Sequence, residues 1–197
     1  MRDCFIVGCG PNGKQGYPDI PWDANKILLN ASIKQVRIHS WSNFIWMISD
    51  NNCIDTDWFS DYYPVYKDRL HGSGQVAERR EVASEFQENP WMTLPCYWET
   101  GRPDVKPMKG GIFRGGGTVA GCALHRCYWR GERPILCGVD IGGLTNSQEK
   151  FVKYEEGYWD HYRTVLNELI RYYLPLTRTI TETSLDVNIL RQYRRGS

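Results

Sequence analysis

The chain has no apolar run long enough to cross a membrane. Its first such run is only Cys4 to Val7, and no stretch approaches the ~20 apolar residues that a span requires. A membrane span is not expected, and nothing in the sequence resembles a secretion signal. An excess of one charge is missing too. With 24 basic and 23 acidic residues the net charge is +1, so no global field draws the chain to nucleic acid or to an anionic lipid surface. Paired cysteines are absent as well: seven stand at 4, 9, 53, 96, 122, 127 and 137, with no CxxC pair and no histidine spacing of the zinc-site kind. Several lie in apolar runs, where free cysteine acts as a small hydrophobe, and a reducing cytoplasm is the expected compartment.

What is present points to one α/β domain. A length of 197 residues allows one sizeable core and a small inserted cap, and falls short of two ordinary domains. Eight Trp and twelve Tyr are many for this length; they suit core filling more often than a stacking surface for a base or a sugar. The most informative stretch runs from Arg114 to Asp140. Gly115, Gly116 and Gly117 lead into a helical pattern from Val119 to Tyr128, closed by Gly131. Ile135 to Val139 then reads as a strand buried on both faces, ending on Asp140. Glycines let a backbone approach a ligand closely, and the following helix turns unpaired N–H groups and a positive dipole end toward an anion. The competing reading is a flexible turn without a ligand.

The earlier part of the chain repeats the theme. Cys4 to Val7 forms a strand that runs into Gly8-Cys9-Gly10-Pro11-Asn12-Gly13, the usual place for a phosphate or nucleotide in this fold class. The Gly8 to Pro11 text is also similar to the first motif of S-adenosylmethionine methyltransferases, but Ile6-Val7 stand where that motif carries an acid. Lys26 to Leu29 reads as a second strand ending at Asn30, and Phe44 to Ile48 as a third ending at Ser49-Asp50. Residues 53–112 read as a loop-rich lid insertion with one helix from about Val76 to Gln87, punctuated by prolines. From Tyr158 the apolar residues recur at helical spacing until Pro175. Thr177 to Thr181 alternates like a last strand at the sheet edge, and the tail from Leu190 reads as frayed.

This order of motifs resembles a Rossmann-like group: the CMP-sialic-acid-dependent sialyltransferases of bacteria, the archaeal hydroxymethyl-dihydropterin pyrophosphokinases and the motility-associated flagellin glycosyltransferases. The resemblance covers most of the chain outside 53–112 and implies a mostly parallel open α/β sheet with helices on both faces. It implies that Gly8, Gly10 and Pro11 form the turn beside the nucleotide phosphates, with Cys9 and Asn12 as candidates in the same turn, and that Asn30 and Asp50 match the polar residue after the second strand and the acid ending the third, with Ser49 beside it. Gly115, Gly116, Gly117 and Thr118 correspond to the small-residue loop before the central helix, and Gly138 and Asp140 to the glycine and acid ending the next strand. The chain departs at Cys9, where the sialyltransferase branch has Asn, and at Gly13, where it has Leu. His161 falls where that branch carries its general base, with Asp160 beside it to orient the imidazole. His39, His71 and His125 are weaker candidates.

Three functions follow as expectations. The first is a sugar transferase using a nucleotide-activated donor, most simply a CMP-sugar, with a hydroxyl acceptor and no metal. The second is an ATP pyrophosphokinase in which Asp50 and Asp140 hold Mg²⁺. The third is a protein that binds or sequesters a nucleotide without turnover. A homo-oligomer is compatible with all three.

Overall fold

The computed structural model describes residues 1–48, 53–72, 118–141, 144–145, 152–153 and 159–190. They build a seven-stranded, all-parallel sheet. Its strands are β1 (Asp3–Val7), β2 (Asn25–Leu29), β3 (Phe44–Ile48), β4 (Leu70–Gly72), β5 (Arg133–Cys137), β8 (Arg178–Thr179) and β9 (Asn188–Ile189), in the spatial order β4-β3-β2-β1-β5-β8-β9. β6 (Leu144–Thr145) and β7 (Val152–Lys153) form a separate antiparallel pair. The helices are α1 (Gly13–Gly16), α2 (Gln35–His39), α3 (Asp57–Tyr66), α4 (Val119–Arg130) and α5 (Asp160–Tyr173). Short 3-10 turns follow α1, β2 and α3.

The central strands alternate between two buried faces, which is why they read as continuous apolar runs. Phe5, Val7, Leu28, Phe44, Trp46, Ile48, Ile135 and Cys137 pack on one side with Tyr17, Ile33, Val36 and the α3 residues Trp58, Phe59 and Tyr62. Cys4, Ile6, Ile27, Leu29, Met47 and Leu136 pack on the other with Ala120, Ala123, Leu124 and Cys127 of α4 and Leu166, Leu169 and Ile170 of α5. Two of the helices carry side-chain caps at their starts. The Thr56 and Thr118 hydroxyls accept the Phe59 and Gly121 N–H groups at the starts of α3 and α4. α4 ends with Gly131 in the left-handed region, where Glu132 N–H reaches Cys127 O and Gly131 N–H reaches Tyr128 O, the paired bonds of a Schellman ending.

The α/β class matches the sequence reading, and β2 and β3 lie where expected. Three boundaries differ. Residues 53–72 do not belong to an insertion: they supply α3 and the edge strand β4, which pairs in register with β3 from Trp46 opposite Leu70 to Ile48 opposite Gly72. β5 begins and ends two residues earlier than expected. Pro134 lies inside it, and the Leu136 carbonyl, on the same side of the strand, bonds toward β8. Pairing with β8 starts only at Ile135, so the missing proline N–H interrupts no ladder bond. The Thr177–Thr181 strand is not at the edge, because Asn188–Ile189 adds β9 outside it. The proposed helix at 76–87 and the remainder of 73–112 lie outside the described residues.

Candidate functional site at the strand-order reversal

From β1 the first half of the chain builds outward through β2, β3 and β4, and the second half builds the opposite way through β5, β8 and β9. The connections on either side of β1 therefore diverge, and open α/β sheets place their crevice at such a reversal, here at the carboxyl ends of β1 and β5. Helices that return the chain to the start of the next parallel strand must themselves start at this edge. The N-termini of α4, which lies over β1, β2, β3 and β5, and of α5, which leads into β8, therefore lie on the crevice side.

The two strand exits interlock through glycine. Gly8 N–H donates to Cys137 O and Gly10 N–H to Gly138 O, each at 2.8 Å. A Cβ on Gly8 would stand 2.3 Å from Gly138 O, and one on Gly10 would stand 2.7 Å from the same oxygen and 3.2 Å from the Asp140 Cβ. Gly138 has φ +63°, and a Cβ there would meet the Gly13 Cα at 2.7 Å. No side chain fits at these contacts, so the glycines serve packing between β1 and β5 before any ligand is considered. Gly8-Cys9-Gly10-Pro11-Asn12-Gly13 also has the spacing G-x-G-x-x-G between a strand and a helix, a signal the motif-by-motif sequence reading passed over.

Buried hydroxyls hold this frame. Tyr17 Oη donates to Gly8 O at 2.7 Å, and burial raises its pKa, so it remains a phenol able to donate. Ser32 Oγ donates to Val7 O at 2.8 Å, and the Cys9 thiol faces Leu29 O at 3.5 Å. On the β5 side, Gly138 N–H donates to Thr181 Oγ1 at 2.9 Å and Thr183 Oγ1 to Val139 O at 2.6 Å. Ser184 exchanges two bonds with the Ile141 backbone through its hydroxyl, and its N–H donates to Asp140 Oδ1 at 3.2 Å. The sequence assigns these residues no role in a site: Thr181 closes the alternating Thr177–Thr181 segment, and Thr183 and Ser184 follow it.

Asn30, directly after β2, has φ +49°, rare for a side-chain-bearing residue. Its backbone carbonyl accepts Trp46 Nε1–H at 2.9 Å, while its buried Oδ1 has no hydrogen-bond partner among the described residues. In dinucleotide-binding sheets an acid about 20 residues after the glycine fingerprint takes a ribose hydroxyl, and Asn30 holds the equivalent place at the end of β2.

Of the residues expected in a site, Gly8, Cys9, Gly10, Asn30, Gly138 and Asp140 sit on three adjacent strand ends, and Asn12 precedes α1 at the turn that Pro11 exposes. Thr118 stands at the start of α4 as its cap. Ser49, Asp50, Gly115, Gly116 and Gly117 lie outside the described residues. No family model, curated protein or solved structure matches the chain. Asp160 begins α5, but its carboxylate pairs with Arg163 and its carbonyl accepts from Thr164 Oγ1 at 2.8 Å. His161 is the second residue of α5.

Proposed function

We propose that the chain binds a nucleotide in the crevice outside the carboxyl ends of β1, β2 and β5 and transfers a nucleotide-activated sugar, most simply from a CMP-sugar, to a hydroxyl acceptor. The observation that carries this reading is the reversal of strand order at β1, which brings the Gly8–Gly13 turn, Asn30 and Asp140 to adjoining strand ends. An acceptor oxygen at Asn30 suits a ribose hydroxyl, and the start of α4 on the same edge suits a phosphate. In the transfer, the acceptor oxygen forms a bond to the anomeric carbon while the bond from that carbon to the phosphate oxygen breaks. The nucleotide leaves, and the hydroxyl proton passes to a base, assigned here to His161 in the first turn of α5.

A thermal-shift panel of CMP, CDP, UDP, ATP and S-adenosylmethionine, each with and without Mg²⁺, tests the ligand class. The expected result is protection by CMP without metal. Protection by ATP that requires Mg²⁺ would replace the sugar transferase with a pyrophosphokinase. His161→Ala is expected to abolish transfer and leave CMP protection intact; undiminished transfer would remove His161 from the mechanism.

A further inference from the structure

At the opposite edge of the sheet, three groups with no part in the crevice converge. Cys4 stands near the start of β1, Cys127 in the last turns of α4 and Glu132 in the tight turn between α4 and β5, with their ligand atoms within 4.8 Å of one another. All three residues are buried, at 1%, 0% and 8% exposure. Two thiols and a carboxylate form a donor set suited to a thiophilic d¹⁰ cation and poorly suited to Mg²⁺ or Ca²⁺. We propose that Cys4, Cys127 and Glu132 are three ligands of a Zn²⁺ site that ties the start of β1 to the end of α4.

The surroundings fit this assignment. Glu132 Oε2 lies 3.5 Å from Arg126 Nη1 and Oε1 lies 3.3 Å from Arg130 Nε, so one carboxylate oxygen can remain on an arginine while the other faces the cation. Such an outer contact fixes the orientation of a ligating carboxylate. The arginines also matter for charge: two thiolates, one carboxylate and Zn²⁺ sum to one negative charge, which the adjacent guanidinium groups offset. Glu132 itself is placed by the Schellman bond from its N–H to Cys127 O at 2.9 Å, so two of the three ligands are set by the same helix ending. The neighbouring Cys4 side chain and burial hold the Cys127 thiol well above the usual thiol range. Zinc takes cysteine as thiolate, so ligation releases protons to solvent and affinity should rise with pH.

The test uses the full-length, reduced, metal-stripped chain with Zn²⁺ for stability and Cd²⁺ as a spectroscopic probe. One equivalent of Cd²⁺ should produce a thiolate charge-transfer band with the intensity of two thiolates. Zn²⁺ at a hundredfold excess over its Kd should raise Tm by about 5–10 °C, with no shift from Mg²⁺. Cys127→Ser and Cys4→Ser should each halve the band, Cys9→Ala and Cys122→Ala should leave it unchanged, and Glu132→Gln should weaken Zn²⁺ binding at least tenfold. No band in the wild-type chain, a band that survives both serine variants, or unchanged Zn²⁺ affinity in Glu132→Gln would overturn the proposal. Stoichiometry and band intensity in the wild-type chain stand independently of whether a cysteine variant folds.

Discussion

The two faces of the sheet solve the same packing problem with different residues. One is covered by large rings: Trp46 packs against Trp58 and Phe59 with centroids 6.0 and 5.5 Å apart, Phe59 stacks on Tyr63, and Tyr17 meets Trp41 edge-on. The other is covered through small and aliphatic residues, with Ala120, Gly121 and Ala123 along the buried side of α4. Rings add burial per residue and carry polar tips that reach the backbone, as Trp46 does at Asn30 and Tyr17 at Gly8. Small residues let a helix backbone come close to the strands, and α4 uses this to lie across β1, β2, β3 and β5. The aromatic face thus braces the strand ends from below, and the aliphatic face seats the helix whose start borders the crevice.

The largest test of this contrast is Trp46→Ala, at the centre of the aromatic face and 0% exposed. It should cost about 3–5 kcal/mol in urea unfolding, at or above Leu124→Ala on the opposite face, because it also removes the hydrogen bond to Asn30. A clearly smaller loss than that of Leu124→Ala would remove the distinction between the faces.

Acid sharpens the comparison next. His71 on β4 lies in register with Met47, whose side chain belongs to the α4 face, and burial together with nearby Arg126 pushes its pKa down to about 4. The unfolded chain takes up this proton near pH 6.5 and the folded chain only near 4, so the contribution is complete above 6.5 and fades as pH falls through that window. The loss should be on the order of 3 kcal/mol by pH 4, and His71→Gln should flatten that part of the profile.

Overpacking gives a smaller effect. Ala123→Leu should destabilise by about 1–3 kcal/mol by pushing α4 off the strands, whereas the exposed Val65→Leu on α3 should be near neutral. The smallest effect is expected at the start of α4, where Thr118→Ala should cost about 1 kcal/mol through loss of the cap to Gly121.

The sequence was legible where one element declared its own period. β2 and β3 were apolar runs of ordinary strand length, and α4 and α5 carried helical spacing between clear stops. β4 was not legible because Leu70 is its only apolar residue, and the α3 aromatics stand among Asp55, Asp57 and Asp61 in a stretch read as part of the 53–112 insertion. Much of the candidate site could be read as glycines, Asn30 and Asp140 at strand ends. The bonds that tie Thr181, Thr183 and Ser184 to the β5 exit could not, because they join residues more than forty positions apart. Cys4, Cys127 and Glu132 escaped for the same reason: a strand and a helix ending bring them together, and no local spacing announces it.

Hydrogen–deuterium exchange with saturating CMP tests the placement of the nucleotide most directly. The account predicts slowed exchange in peptides covering residues 8–13, 30–32 and 138–141, with no change in 57–66. Slowing in 57–66 alone, or none in the strand-end peptides of a chain that CMP saturates, would contradict it.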